Sequence, residues 1–209
     1  MSQPTVKYFK GINARVLPTL LCFEVVGLPY TDERIDFDEW GKTKMDSSMH
    51  PTHTLPTLTI NGKTLNQSRG CAQFAAVASG LLPTNPLEAG LVEEVQACIE
   101  ELFDGADGIK SGKGREVWLE NNLPKWLGRI ESLSTGDKFF LKGDRPTTAD
   151  FWLVSILSFM ALETQFTGGI PRKTDFAEFK VINRIIKATK EYPAVKAYFE
   201  RHPEENVEF

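Results

Sequence analysis

Tyr8 is the first side chain in this sequence whose chemistry stands out, a phenol beside Phe9 at the end of the extended-looking run Thr5 to Phe9. A phenol can donate a hydrogen bond to a neighbouring anion and so favour its charged form. Taken alone, a tyrosine at a strand end is more often a packing residue. Trp40 and Lys44 are four apart, so on a helix they share a face and offer an indole N–H and an ammonium to a carboxylate. Leu55 precedes Pro56 and is biased toward extended backbone, which suits a plain turn as well as a presented peptide edge. Gln67-Ser68 stands at the start of an Ala-rich run. There the first free N–H groups and the positive end of the helix dipole attract a carboxylate, and the Ser68 hydroxyl can also cap.

The elements that must position these residues follow a readable order. Thr5 to Phe9 reads as a strand, and Arg15 to Val26 has apolar residues at helical spacing closed by Gly27. Tyr30 to Phe37 suits a second strand, and a short helix is predicted around Glu39 to Lys44. Thr57 to Ile60 and Thr64 to Asn66 flank Asn61-Gly62, a strong hairpin signal because both turn residues tolerate positive φ. Arg69 to Ala78 is a helix that Ser68 is placed to cap. The turn-forming stretch from Gly80 to Pro86 then breaks the pattern. Residues 1–80 are read as one domain, 81–88 as a linker and 89–209 as an all-helical domain. Its helices are Leu91 to Ala106, Glu116 to Leu133, Asp150 to Glu163, Lys180 to Lys190 and Pro193 to Arg201. Thr147 to Asp150 matches a capping box before the most apolar of them.

A chain of 209 residues with 41% hydrophobic and 25% charged residues can bury a substantial core, which argues against disorder or repeat architectures. The formal net charge of -4 supplies no basic field for nucleic acid. Cys22, Cys71 and Cys98 are widely spaced in apolar surroundings and read as buried free thiols of a reducing, cytoplasmic compartment. No secretory signal is expected from Met1 to Thr5, and the apolar stretch Phe151 to Leu162 is too short to span a bilayer, so no membrane role is expected. His50 and His53 lie apart from any carboxylate or Cys cluster and read as loop histidines rather than metal ligands. Gly108 to Gly114 lacks the preceding strand and the Ser or Thr of a phosphate loop, and reads as a mobile basic loop.

Tyr8-Phe9, Trp40 with Lys44, Leu55-Pro56, Gln67-Ser68, the Thr147 to Asp150 box and Tyr192-Pro193-Ala194-Val195 occur in one order along nearly the whole chain. In that order the sequence resembles the cytosolic glutathione transferases, most of all the sigma class with its prostaglandin D synthases and S-crystallins. The resemblance implies a thioredoxin-like α/β N-terminal domain followed by an all-α domain, glutathione as co-substrate, and a homodimer acting on a small-molecule electrophile. It assigns Tyr8 to the glutathione sulfur, Thr54, Leu55 and Pro56 to its cysteinyl backbone, and Gln67 and Ser68 to its γ-glutamyl carboxylate. Trp40 and Lys44 are assigned to the glycyl carboxylate. Arg15 matches an arginine near the sulfur, in a segment one residue longer than usual and close to Pro18. Glu101, of the pair Glu100-Glu101, matches a carboxylate that in relatives crosses a dimer interface. Phe9, Ile12, Asn13, Phe103, Asp104 and Asp107 would wall the electrophile site.

The segment after Tyr8 holds neither Ser nor Cys, against a thiol-exchange variant of the family. Gly108 stands near a position where prostaglandin D synthases carry an aromatic residue. Two alternatives remain at this point: a non-catalytic relative serving as a structural, ligand-carrying or partner-binding protein, and an enzyme using a modified glutathione. The filled glutathione-contacting positions argue against the first.

Overall fold

Alternating burial along β1 (Thr5–Phe9) sends Val6 and Tyr8 into the core, the period-2 signature of a strand with one covered face. The computed structural model describes residues 2–107, 113–157, 159, 177–203 and 206. β1 pairs in parallel with β2 (Thr31–Ile35), with Tyr8 opposite Arg34, and antiparallel with β3 (Thr57–Ile60). β3 turns back into β4 (Lys63–Asn66), giving a four-stranded sheet in the order β2-β1-β3-β4. Asn61 and Gly62, at φ 50° and 73°, form the two-residue turn expected between β3 and β4.

A parallel pair needs a crossover, which α1 (Leu17–Val26) supplies. The helix begins at Leu17, after the expected Arg15, because Pro18 fits only the first turn, where its missing N–H has no helical partner. Gly27 closes it in the left-handed region at φ 66°, its N–H donating to the Glu24 carbonyl. α2 (Phe37–Thr43) starts ahead of the expected Glu39 because the Asp36 carboxylate caps it, accepting from the Glu39 N–H at 2.8 Å. α3 (Ser68–Ala78) departs from expectation at its first residue. Gln67 occupies the cap position at φ 71° without a side-chain cap bond, so Ser68 already lies inside the helix and its hydroxyl donates to Glu100 at 3.3 Å.

The remaining elements are helices: α4 (Pro86–Asp107), α5 (Lys113–Leu133), α6 (Thr148–Trp152) running on as a π-helical turn over Leu153–Leu157, α7 (Lys180–Lys190) and α8 (Pro193–Arg201). α4 starts inside the stretch read as a linker, because Asn85 Oδ1 accepts from the N–H groups of Leu87 at 2.9 Å and Glu88 at 3.3 Å. Lys113 and Gly114, read as loop, open α5, while residues 108–112 lie outside the described residues, as does most of the predicted helix beyond Leu157.

The capping box forms as the sequence predicts. Asp150, fully buried, accepts from the Thr147 N–H (2.7 Å), the Thr147 hydroxyl (2.8 Å) and the Phe140 N–H (2.7 Å). Burial pushes its carboxyl up to about 6 against the opposing pull of those donors. The box thereby ties the 134–147 segment to the start of the most deeply buried helix, where Phe151 and Trp152 are fully enclosed. α1 packs against α3 on one side and against α6 and α8 on the other, so one hydrophobic core runs from the sheet into the helices. This is a thioredoxin-like α/β unit joined to an all-helical one. All three cysteines are free and buried, and burial pushes the Cys71 thiol up to about 12.

Candidate active site

Tyr8 projects from β1 into the core and is only 5% exposed. Burial raises the phenol above its usual range, while the Arg15 backbone N–H bonded to it and the Arg15 and Arg34 guanidinium charges pull the other way. The phenol is therefore protonated at neutral pH. A protonated phenol has a hydrogen to donate to an acceptor brought against it.

Phe9 ends β1, and the β1–α1 connection carries Ile12, Asn13 and Arg15. Phe9 packs edge-on against Tyr8 (5.3 Å between centroids), stacks on Phe37 (5.0 Å) and meets the edge of Trp40 (5.6 Å), so β1 and α2 share one aromatic cluster. Ile12 is half-buried against the core. Asn13 faces inward: its Nδ2 donates to the Tyr198 hydroxyl of α8 at 3.4 Å, and its Oδ1 accepts from Arg34 at 3.0 Å. Ser155, in the π-helical turn, donates to the Ala14 carbonyl. The Arg15 side chain crosses to α4, lying over the Phe103 ring at 4.6 Å, 3.7 Å from Glu100 and hydrogen-bonded to Asp104. Phe103 in turn faces Phe159 at 5.8 Å. Asp107 is the last residue of α4, and its side chain lies outside the described residues.

The Leu55–Pro56 peptide is cis and leads into β3 beside β1. Thr54 is exposed, its hydroxyl 2.7 Å from that of Thr52. Trp40 lies on α2, and exposed Lys44 is that helix's C-cap, its N–H donating to the Trp40 carbonyl at 2.8 Å. Gln67 is exposed at the start of α3, next to buried Ser68.

Of the acidic pair on α4, Glu101 is exposed, and Glu100 is the one drawn into the cluster. Glu100 accepts from Ser68 and lies 3.5 Å from the Arg69 Nε as well as near Arg15. Burial raises its carboxyl, with Arg69, Arg15 and Ser68 opposing and Asp104 adding to the rise. Three residues were missed by reading the sequence: Glu100, Arg34 and His50. Arg34 sits in the charged string Asp32-Glu33-Arg34, which looks like solvated surface; only its register opposite Tyr8 gives it meaning. His50 does lie in the loop between α2 and β3, but it is fully buried there, with its ring 4.8 Å from that of Trp40. Its partner is an aromatic ten residues upstream, too weak a signal to be read along the chain. Among the described residues no group of His, Cys, Asp and Glu could hold a metal ion, and no helix is long and apolar enough to cross a membrane.

The family model for the glutathione S-transferase C-terminal domain matches residues 95–202. The chain belongs to the glutathione S-transferase family. Across the family glutathione is the co-substrate. The hematopoietic prostaglandin D synthase of Gallus gallus is 25% identical over 188 residues, covering 87% of both chains. Among solved structures, a monomeric glutathione S-transferase from the hookworm Necator americanus aligns with a TM-score of 0.78 at 25% identity, over 99% of this chain and 100% of its own. A sigma-class transferase from Fasciola hepatica shares the fold with a TM-score of 0.77 at 19% identity, over 95% of this chain and 96% of its own. Within the transferase fold, Arg15 ties the segment after β1 to Glu100 on α4, and Ser68 and Glu100 bridge α3 and α4.

Proposed function

We propose that this chain is a sigma-like glutathione transferase in which the Tyr8 phenol holds bound glutathione as its thiolate for attack on an electrophilic small molecule. The observation that carries the reading is the buried Tyr8 phenol at the end of β1, protonated and facing the Arg15 and Arg34 charges. Glutathione supplies the thiol nucleophile. A free cysteine thiol has a pKa of about 8.5 and is mostly protonated at neutral pH. A hydrogen bond to a charged acceptor contributes about 1.5–3 kcal/mol. At about 1.4 kcal/mol per pH unit, one such bond lowers a thiol pKa by about one to two units, raising the thiolate share at pH 7 from about 3% to between about a quarter and three quarters.

The rest of the cleft suits a γ-glutamyl tripeptide. Ser68 and the first N–H groups of α3 fit the γ-glutamyl carboxylate, and Glu100 beside them fits its ammonium. Leu55, ahead of β3, fits backbone pairing with the cysteinyl residue, with Thr54 and Pro56 on either side. Trp40 and Lys44 of α2 suit the glycyl carboxylate, Gln67 joins Ser68 at the γ-glutamyl end, and Phe9, Ile12 and Phe103 offer an apolar wall to the electrophile. The chain is read as a cytoplasmic homodimer, with residues 1–80 as the glutathione domain and the helical remainder completing the electrophile site.

Retention on immobilised glutathione, followed by a conjugation assay with an aryl halide, tests the reading. Retention with turnover is expected. Retention without turnover would point to a binding or structural member of the family, and a protein that flows through would remove glutathione from the account.

A further inference from the structure

Arg34 emerges from β2 opposite Tyr8, and its guanidinium fork closes over the β1–α1 connection. Nη1 donates to the carbonyls of Phe9 at 3.1 Å and Ile12 at 2.9 Å, Nη2 to Asn13 Oδ1 at 3.0 Å, and Nε to the Asp32 carboxylate at 2.7 Å. The side chain is only 16% exposed, so these are well-shielded, charge-assisted bonds. Asp32 fixes the guanidinium plane, and the opposite edge of the fork then grips the loop at three points along five residues. Lysine could not do this, because an ammonium is a point donor without a planar fork.

That loop places two things the proposed chemistry needs. It runs from Phe9, the last residue of β1, through Ile12 on the apolar wall, and ends at Arg15, whose main-chain N–H and charge act on the Tyr8 phenol. We propose that Arg34 is a positioning residue of the transferase reaction: by clamping residues 9–13 it sets the Arg15 amide against the Tyr8 phenol and aims the phenolic proton at the bound sulfur. Arg34 acts through the loop and does not touch the substrate. Loop placement to within a fraction of an ångström matters because hydrogen-bond strength and reactive orientation fall steeply with misplacement. The inference rests on the thiolate reading above, and the experiment separates the two.

The ultraviolet thiolate band of glutathione bound to the full-length protein is titrated against pH in wild type, Arg34→Lys and Arg34→Gln. The Lys variant keeps the positive charge and loses the fork, whereas the Gln variant loses both. The bound thiol is expected to titrate about one pH unit higher in the Lys variant, equivalent to about a tenfold loss of thiolate stabilisation, and higher still in the Gln variant. Glutathione affinity at low pH, where the thiol is protonated in all three, should change less than threefold, because α2, α3 and the segment before β3 hold the tripeptide. Asn13→Ala removes one grip without altering the sheet and gives a smaller shift of the same sign, which serves if the Arg34 variants do not fold. A bound-thiol pKa that stays at the wild-type value in the folded variants overturns the role of Arg34. A wild-type protein that binds glutathione without lowering its thiol pKa overturns the thiolate reading instead.

Discussion

At the scale of single residues, the account turns on which polar groups are satisfied inside the protein and which are left to meet a ligand. The buried Tyr8 phenol is protonated at neutral pH and has a proton to give, so Tyr8→Phe removes the donor while preserving the packing against Phe9. Its conjugation kcat/KM should fall about 10- to 100-fold, about 1.4–2.7 kcal/mol, with the fold intact by circular dichroism. His50 presents a different case. The Thr43 hydroxyl donates to the Glu39 carbonyl, so the His50 Nε2, 3.4 Å away, must be the donor to Thr43, and the buried Nδ1 is a bare lone pair without a partner. Burial and the nearby Lys7 charge hold its pKa below the usual imidazole value, with His53 acting in the same direction and Asp46 and Glu33 opposing. The sign follows from proton linkage. Neutral His50 is accommodated above about pH 6.5, the unfolded-state value, and stability is lost as pH falls from there through the lower folded value. The buried Asp150 carboxyl, raised to about 6, gains stability over the same interval and is common to both proteins, so the test is the difference between them: from about pH 7.5 to 5.5 the thermal midpoint of His50→Gln should move upward relative to wild type.

Elements show where the sequence could be read and where it could not. The hairpin at Asn61-Gly62, the α8 span and the Thr147–Asp150 box were legible because each is dictated by residues adjacent in sequence. The start of α1 was legible only in part, since apolar spacing reaches back to Arg15 while Pro18 restricts the helix to begin at Leu17. Ser68 looked like a cap by local grammar, yet its hydroxyl is claimed by Glu100 on α4, a partner that only the packing of α3 on α4 reveals. Arg34 was hidden for the same reason: its meaning comes from strand register, and reading along the chain shows only a run of charges. The capping box supplies the element-scale prediction. Asp150→Ala leaves the N–H groups of Phe140 and Thr147 buried without an acceptor, so chemical denaturation should show a loss of about 3 kcal/mol. Asp150→Asn keeps an acceptor oxygen and should lose less. Equal behaviour of Asp150→Ala and wild type would mean that the box does not hold α6.

Across the whole molecule, the candidate site lies where the two units are tied together. Asn13 reaches Tyr198, Ser155 reaches Ala14, Arg15 reaches Asp104, and Arg201 pairs with Glu24 at 2.6 Å. A ligand bound across α2, α3 and β3 should therefore stabilise the whole chain. At about 100 times its Kd, glutathione should add about 2.7 kcal/mol, raising the melting midpoint by roughly 5–10 °C for a chain of this size. The most direct measurement of the central claim is the thiol pKa of bound glutathione, read from its ultraviolet thiolate absorbance in wild type and Tyr8→Phe. The account predicts a value about one to two units below the free thiol in wild type, returning toward about 8.5 in the variant. A bound thiol that titrates alike in both proteins would contradict it.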